Sequence, residues 1–270
     1  MAKVRLDVWL VQSGKAPSRE RARTMIMEGL VFVNGVREDK PGTAFDPEKI
    51  TSLEVKEGAL PYVSRGALKL QKALDLWELQ PADQVCLDIG ASTGGFTDLL
   101  LTRGAKKVYA VDSGYGQLHY KLRSDPRVIC MEKTNFRHVT REDIPEEIGF
   151  ACADVSFISL ALILPAAYAL LKEEAEMVCL VKPQFEAGRE QVGKKGVVRE
   201  PKVHEEVLHK IMSCAQETGF TCVALTYSPI RGPEGNIEYL YLLRKQTEGG
   251  THVTAQEISI CVGEAQTNAN

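Results

Sequence analysis

Two lysines and two acids that stand far apart in the chain, Lys69, Asp154, Lys182 and Glu238, occupy positions that a folded sheet would bring together. Asp154 closes the apolar run Phe150–Asp154, and Lys182 follows the run Met177–Val181. Neighbouring parallel strands end at one edge, where open α/β sheets bind their ligands, so both side chains are expected to point into one cleft. Glu238 lies at the start of the last apolar run, Ile237–Leu243, and reaches the same edge if that strand runs antiparallel to its predecessor. Lys69 sits on a helix just before the first strand and could reach across. As a set the four are formally neutral, which makes burial of Lys182 tolerable. Amines and carboxylates so arranged suit the positioning and deprotonation of a weak nucleophile.

A glycine-rich loop stands beside them. The first strand ends in Asp88-Ile89-Gly90-Ala91-Ser92-Thr93-Gly94-Gly95-Phe96-Thr97. Small residues there let the backbone turn sharply and approach a ligand closely at a helix start. A dinucleotide fold wants G-x-G-x-x-G, whereas these glycines fall at 90, 94 and 95 behind an acid. A carboxylate at position 88 repels a pyrophosphate but suits the cationic sulfonium and amino group of S-adenosylmethionine. Asp112, ending the second strand, would hydrogen-bond the ribose hydroxyls of either cofactor. The expected cofactor-binding residues are Asp88, Gly90, Ala91, Ser92, Gly94, Gly95, Phe96 and Asp112.

The elements that must position these groups follow from periodicity. A helix is expected at Gly66–Leu79, then strands near Gln84–Ile89, Lys107–Asp112, Val128–Met131, Phe150–Asp154, Met177–Val181, Thr221–Tyr227 and Ile237–Leu243. Helices fall near Thr97–Arg103, Gln117–Arg123, Ser159–Lys172 and Val203–Thr218. Repeated strand–helix units imply an α/β domain whose mostly parallel, doubly wound sheet is covered on both faces. The loop Gln184–Arg199, with Gly188, Gly193 and Gly196 among Arg189, Lys194, Lys195 and Arg199, is expected to order and close only when a substrate binds.

The N-terminal end differs in character. The whole chain carries a formal charge of −3, yet residues 1–27 hold six basic residues against Asp7 and Glu20. Arg5–Gln12 and Ser18–Glu28 read as short helices, the second capped by Ser18 and closed by Gly29. Asn34-Gly35 between Val31–Val33 and Val36 reads as a hairpin turn. Arg19 and Arg23, four apart, share a helical face. The expected division is a small module over 1–60, a linker at 61–65 that follows the linker candidate Lys56–Pro61 with its breakers Gly58 and Pro61, a larger domain over 66–247, and a polar, frayed tail over 248–270.

Composition sets outer bounds. With 270 residues, 44% of them hydrophobic, one full domain and a small one can bury their cores. No signal peptide is apparent, and the longest apolar candidate, Ile158–Leu171, is broken by Pro165 and followed by Lys172, so a soluble, cytoplasmic protein without a membrane partner is expected. Seven cysteines without a CxxC pair fit free thiols in a reducing compartment. Cys152 or Cys179 as a methylation nucleophile remains an alternative. No His/Cys spacing suggests a metal.

Two resemblances add to this. Arg5 to Leu10 (Arg-Leu-Asp-x-x-Leu), Ser18-Arg19-x-x-Ala22 and Gly29-x-Val31-x-Val33-Asn34-Gly35 resemble the alpha-L, or S4-like, RNA-binding domain. That resemblance implies phosphate contacts from Arg5, Arg19 and Arg23, with Lys3, Lys15 and Arg21 less central; such contacts orient rather than read sequence. Tyr62 to Leu70 (including Arg65), Asp88 to Thr97, Asp112 to Leu118, Asp154-Val155-Ser156-Phe157, Lys182-Pro183-Gln184-Phe185-Glu186 and Gly193 to Arg199 resemble the TlyA family, whose members join the alpha-L module to an FtsJ-like methyltransferase. The family is described as rRNA ribose 2′-O-methyltransferases, and many members carry the name hemolysin. The resemblance implies a Rossmann-like S-adenosylmethionine-dependent methyltransferase fold, the Lys-Asp-Lys-Glu tetrad at Lys69, Asp154, Lys182 and Glu238, RNA contact at Arg65, and a cytidine of ribosomal RNA as substrate. Lys182 would then lie nearest the ribose hydroxyl, as neutral base or as cation.

Other methyl transfers fit less well. Amine methylation would call for Asn/Asp-Pro-Pro-aromatic after the fourth strand, where Asp154-Val155-Ser156-Phe157 lacks both prolines. Pyrimidine carbon methylation needs a cysteine at the cleft, and Cys152 and Cys179 precede the strand ends. Two other classes remain as alternatives. One is a membrane-lytic protein, though no spanning segment or barrel pattern appears; the other is an RNA-binding ribosome-assembly factor with an inactive methyltransferase domain.

Overall fold

Short apolar segments build the N-terminal unit, Met1–Arg65. In chain order it holds strand β1 (Val4–Arg5), helices α1 (Leu6–Gln12) and α2 (Arg19–Met27), strands β2 (Val31–Val33) and β3 (Val36–Glu38), and strands β4 (Ala44–Phe45) and β5 (Leu53–Val55). Leu6 and Leu10 of α1 are four apart, hence on one face, and they pack with Ala22, Met25 and Ile26 of α2 onto Val31 and Val33. Ser18 caps α2 by accepting from the Arg21 amide at 3.1 Å. The hairpin turns through Asn34 (φ 50°) and Gly35 (φ 76°), the paired left-handed residues of a tight two-residue turn. Asn34 also accepts from the amides of Thr51 (2.8 Å) and Ser52 (3.1 Å), which leads the chain into β5 alongside β2. Strands β1, β4 and β5 were not expected from the sequence, because two or three residues hold too little periodicity to register.

The computed structural model describes residues 3–16, 18–27, 29–55, 61–246 and 252–268. The expected helix end at Glu28, residues 56–60 of the linker stretch and residues 248–251, 269 and 270 of the tail lie outside these.

The second unit, Gly66–Asn270, contains α3 (Ala67–Leu76), β6 (Val85–Ile89), α4 (Gly95–Thr102), β7 (Lys107–Val111), α5 (Tyr120–Arg123), β8 (Val128–Met131), β9 (Ile148–Ala153), α6 (Leu164–Leu170), β10 (Leu171–Val181), α7 (Pro183–Glu186), α8 (Pro201–Thr218), β11 (Phe220–Tyr227), β12 (Tyr239–Lys245) and α9 (Ala255–Asn268). Its seven strands run in the order β11-β12-β10-β9-β6-β7-β8. Strands β6 to β10 are mutually parallel, and β12 is antiparallel to both neighbours. Winding proceeds from β6 outward to β8, then restarts at β9 on the other side, so the topological switch lies between β6 and β9. Ligands of open α/β sheets bind at that point.

The last strand is antiparallel as expected, but it is inserted between β10 and β11. Tyr239 to Leu243 are buried without alternation, at most 3% exposed, and such a run demands cover on both faces and neighbours on both edges. Period-two alternation then divides the core. Leu87, Ile89, Val111, Ala153, Cys179 and Val181 face α6, α8 and α9, while Cys86, Asp88 and Cys152 take the opposite face with α3 and α4.

Two expected helices are shorter. Ser159–Lys172 becomes a single 3-10 turn at Leu160–Leu162 followed by α6, and from Leu171 the chain is already strand. Lys172 to Glu174 are good helix formers, yet pairing with β9 overrides them through a register shift between Leu171 and Glu176 with Glu174 at φ 61°. Gln117–Arg123 shrinks to α5 because the Gln117 amide donates to Glu132 at 3.1 Å instead of entering a helix.

The expected frayed tail is corrected: residues 255–268 form α9. Thr254 and Glu257 make a reciprocal capping pair, Glu257 N donating to Thr254 Oγ1 (3.2 Å) and Thr254 N to Glu257 Oε2 (2.7 Å). Ile258, Cys261, Val262 and Ala265 then recur at helical spacing and enter the main core, so burial of this stripe holds what its polar end had suggested would fray. Just before α9, Val253 N donates to the Cys222 carbonyl (2.8 Å) and His252 Nδ1 accepts from Cys222 N (3.3 Å), along the outer edge of β11. Among the described residues no helix is long and apolar enough to cross a membrane.

Candidate active site

The carboxyl edge of the sheet brings all four expected catalytic side chains into one network. Asp154 follows β9, Lys182 follows β10, Glu238 immediately precedes the antiparallel β12, and Lys69 projects from the first turn of α3. Lys69 Nζ lies 2.7 Å from Glu238 Oε2 and 3.4 Å from Asp154 Oδ2. Lys182 Nζ lies 2.5 Å from Asp154 Oδ1, an ion pair outside hydrogen-bond angles, and donates to Ser156 Oγ at 2.9 Å. Gln184 Nε2 donates to Glu238 Oε1 at 3.2 Å. The Glu238 side chain is fully buried, those of Lys69 and Lys182 nearly so, and Asp154 is the most open at 20%.

Electrostatics in this network are settled by competition between burial and pairing. Burial works against the ammonium of Lys69, but Asp154 and Glu238 outweigh it and raise its pKa above the ordinary value. Burial likewise opposes ionisation of Asp154, yet Lys69 and Lys182 hold its carboxyl below the usual range. Charged pairs this buried persist only when every partner is present. The network is therefore one unit, and removing a member leaves the others uncompensated.

The glycine loop is tied to that network through its backbone. The amides of Gly90 and Ala91 both donate to the Val111 carbonyl, at 2.8 and 3.1 Å, and Asp154 N donates to the Ile89 carbonyl at 2.9 Å. Gly90 has φ 84°, and a Cβ there would sit 2.6 Å from the Asp154 carbonyl oxygen. The loop thus presses against the backbone of a tetrad residue, an approach that only glycine permits. Ser92 is left-handed at φ 49°, Gly94 at φ 95° precedes α4, and Gly95 and Phe96 begin that helix, buried. Ala91 is also buried.

The two expected acids of the cofactor site stand differently. Asp112 accepts from the amides of Ser92 (2.8 Å) and Gly114 (2.7 Å), joining the loops after β6 and β7. Asp88 is wholly buried beneath the glycine loop, accepting from Thr97 Oγ1 at 2.7 Å and from Cys152 Sγ at 3.8 Å. Burial raises its pKa to about 7 against the opposing hydrogen bond from Thr97. Enclosed in this way, Asp88 would act on a cation near the loop through space. Cys152 and Cys179 are fully buried, and burial pushes both thiols up, which removes the alternative in which either acts as nucleophile.

Two of the basic residues of the N-terminal unit, Arg5 and Arg19, share an anchor. Asp7, fully buried, accepts from Arg5 Nε and Nη2, both at 3.0 Å, and from Arg19 Nε at 3.0 Å. The hydrogen bond from Arg5, with Arg19 assisting, lowers the Asp7 pKa to about 2. The Arg5 and Arg19 side chains remain about half exposed, so their outer N–H groups face solvent side by side. Arg23 is exposed one turn further along α2, and Arg65 is half-buried at the end of this unit.

Several residues of the site escaped sequence reasoning. Ser156 stood out only as part of a motif, though the residue is exposed and its hydroxyl is bonded to Lys182. Phe157 is 90% exposed in a left-handed conformation (φ 64°), a backbone state costing about 1–2 kcal/mol in a non-glycine residue, and its ring packs against Phe185, tilted by 51° with centroids 4.8 Å apart. Gly232 lies so close to Glu238 Oε1 that any side chain there would displace the carboxylate. Asn236 is buried and fastens the basic loop: its Oδ1 accepts from Val198 N (3.2 Å) and its Nδ2 donates to the Gly196 carbonyl (2.9 Å). Residues 184–199 run from α7 through a 3-10 turn at Arg189–Gln191 to the turn that Asn236 fastens. Asn in a loop next to a strand gives no pattern to read; its partners are about forty residues away in the chain.

The FtsJ-like methyltransferase family model matches residues 62–245, and the S4 domain model matches residues 4–50. YqxC of Bacillus subtilis, a candidate rRNA methyltransferase by name, is 51% identical over 97% of this chain and 94% of its own. The 16S/23S rRNA (cytidine-2′-O)-methyltransferase TlyA of Mycobacterium tuberculosis is 46% identical over 91% of each chain. A solved structure from Streptococcus thermophilus, described as a candidate hemolysin, is 47% identical with a TM-score of 0.79, covering 99% of this chain and 97% of that one. With the tetrad and the switch-point loop in place on such a sheet, the chain belongs to the FtsJ-like methyltransferase family, in the S4-bearing branch that includes TlyA.

Proposed function

We propose that this protein transfers the methyl group of S-adenosylmethionine to a ribose 2′-hydroxyl of ribosomal RNA, free or within a subunit, in the cytoplasm, with cytidine as the nucleoside. The observation that carries this reading is the bridging of Asp154 by two lysines, Lys69 at 3.4 Å and Lys182 at 2.5 Å, directly against the Gly90 turn. Residues of the site fit the donor: a side-chain-free turn at Gly90, a carboxylate at Asp112 ending β7, and a buried acid at Asp88 whose field favours a nearby cation. Asp112 would hold the donor's ribose, and the backbone of Gly90 to Ser92 would line its methionyl part. When bound, the donor supplies an electrophilic methyl group on a positive sulfur.

The chain's own residues supply position and charge. A ribose hydroxyl is a poor nucleophile at neutral pH, so orientation and help with its proton must come from the protein. Lys182, 2.5 Å from a carboxylate, is the residue nearest the 2′-hydroxyl and assists its attack, as base or as stabiliser of the charge growing on the 2′-oxygen. Asp154 holds Lys182 in place, and Lys69 with Glu238 holds Asp154. Phe157 offers its open ring face to the base of the same nucleotide, and stacking of this kind gives about 1–3 kcal/mol without reading sequence. Arg5, Arg19 and Arg23 contact RNA phosphates, with Arg65 a further contact.

The test pairs Lys182→Ala with Lys182→Arg. Purified protein, radiolabelled donor and either intact subunits or free rRNA are combined, and the labelled nucleotide is mapped. Wild type should label a cytidine 2′-oxygen; Lys182→Ala should lose transfer by at least about 10²-fold while binding donor by calorimetry. Normal turnover in Lys182→Ala, or label on a base, would remove this reading.

A further inference from the structure

One buried carboxylate close to the tetrad in the chain serves a different set of partners. Glu186 ends α7, four residues after Lys182, and its side chain is 2% exposed. Burial pushes its pKa up against the hydrogen bonds it receives. Those bonds come from one segment: Oε2 accepts from Ser159 Oγ at 2.6 Å, and Oε1 accepts from the Leu160 amide at 2.7 Å. Ser159 in turn accepts from Ala161 N at 3.2 Å and caps the 3-10 turn Leu160–Leu162. Helix α8 gives the carboxylate less: Lys210 is half exposed, stands 3.9 Å away and donates to the Glu186 main-chain carbonyl at 2.9 Å. An apolar side chain would fill this space without the cost of burying an acid, so the carboxylate is there for the bonds it makes.

These bonds complete a set of ties between the segment after β9 and the segment after β10. Lys182 Nζ donates to Ser156 Oγ at 2.9 Å, the Phe157 and Phe185 rings pack with centroids 4.8 Å apart, and Glu186 takes Ser159 and Leu160. Phe157 lies between the outer ties, 90% exposed and left-handed at φ 64°. A large apolar side chain left in water on a strained backbone persists only where its surroundings over-determine it. Here Ser156 is fixed on one side of it, and Ser159 with Leu160 on the other. We propose that Glu186 is a positioning residue: by binding Ser159 and Leu160 to the turn that carries Lys182, it holds the Phe157 ring open to stack on the base of the nucleotide being methylated. This role rests on the ribose methyl transfer and the base stacking assigned to this site.

The chemistry of a nucleotide explains why such a tie is needed. Its base and its 2′-hydroxyl are covalently joined, so the ring that receives the one and the amine that meets the other must keep a matching separation. Glu186 sets that separation through short connections. Towards Lys182 it is linked by α7, whose turn is closed by Phe185 N donating to the Lys182 carbonyl and Ala187 N to the Pro183 carbonyl, both at 2.9 Å. Towards Phe157 it is linked through Ser159, two residues on. Two substitutions separate these bonds from mere packing. Glutamine keeps the length: its carbonyl accepts from Leu160 N, and its amide donates to Ser159 Oγ, which has a second acceptor position. Methionine fills a similar space and makes neither bond.

The experiment is a double-mutant cycle of Glu186→Met and Phe157→Ala, with Glu186→Gln as the conservative variant, in single-turnover methyl transfer at saturating donor and RNA. Donor binding by calorimetry and thermal unfolding are measured alongside. Glu186→Met should bind donor as wild type does and lose about 10-fold in rate, as should Phe157→Ala, the scale set by one base–aromatic stack. The double variant should be no slower than Phe157→Ala alone, and Glu186→Gln should recover most of the rate. Losses that multiply in the double variant would overturn the proposal, because Glu186 would then act by a route other than the ring. A wild-type rate in Glu186→Met or in Phe157→Ala, or equal losses in Glu186→Gln and Glu186→Met, would overturn it as well. Should Glu186→Met fail to fold, Ser159→Ala, which removes the hydroxyl from the other side of the same bond, takes its place in the cycle. Absence of RNA methylation by wild type would refute the proposed function instead, so the two failures are distinguishable.

Discussion

Replacing Asp88 with Asn should flatten the dependence of stability on pH, and the size of the effect follows from how the carboxyl is enclosed. Burial raises its pKa to about 7, against about 3.9 in an unfolded chain. Across that window the folded protein keeps a proton that the unfolded chain has lost, so stability falls as pH rises from about 4 to about 7 and levels beyond. At 1.36 kcal/mol per pH unit the full window is worth about 4 kcal/mol, of which about 2–3 kcal/mol lies between pH 5 and pH 8. Asparagine keeps the shape and cannot ionise, but its amide meets donors from Thr97 and Cys152 at a cost of about 1–3 kcal/mol at every pH. The informative quantity is therefore the difference between wild type and variant in urea unfolding, measured at pH 5, 6, 7 and 8. That difference should move in favour of Asp88→Asn as pH rises, and two parallel curves would refute the reasoning. A second readout tests the link to the donor: near pH 7, binding a cation should expel about half a proton from wild type and none from the variant, detected by calorimetry in buffers of differing ionisation heat.

Two further outcomes are expected. Lys194→Ala with Lys195→Ala should weaken RNA binding, lowering the log–log salt slope by roughly 0.7–0.9 per lost phosphate contact, while leaving turnover at saturating RNA unchanged; an unaltered slope in filter binding would show that this turn does not touch RNA. Asp7→Asn should weaken RNA binding several-fold even though it removes a negative charge, because Arg5 and Arg19 lose their common anchor. Asp7 stays ionised until pH falls from about 4 towards 2, so the clamp is intact at neutral pH. Tighter binding of RNA by Asp7→Asn would contradict this.

How far the sequence could be read depended on the range of the interactions. Asp154 and Lys182 stood out because strand ends follow from local apolar runs and parallel strands share an edge. Glu238 required an assumption about strand direction, correct in sense but silent on the insertion of β12 between β10 and β11, which is decided by two-sided burial of Tyr239 to Leu243. Asp88 was legible as an acid at a turn but not as an acid beneath it, because enclosure by Thr97 and Cys152 is a tertiary fact. Asn236 and Gly232 act on residues brought close only by the fold. The capping pair Thr254–Glu257 and the spacing of Ile258, Cys261, Val262 and Ala265 lie in the local sequence, where the polar final residues had pointed to fraying instead.

That C-terminal helix matters beyond its own packing. A sheet of this kind stops at β11 with a row of main-chain groups turned outward, and such a row invites a strand from another molecule. His252 and Val253 engage Cys222 there, and α9 keeps them in register, so the segment works as a hem on the fabric. A version shortened ahead of it would retain the network of Lys69, Asp154, Lys182 and Glu238 and still be prone to stick to its own copies.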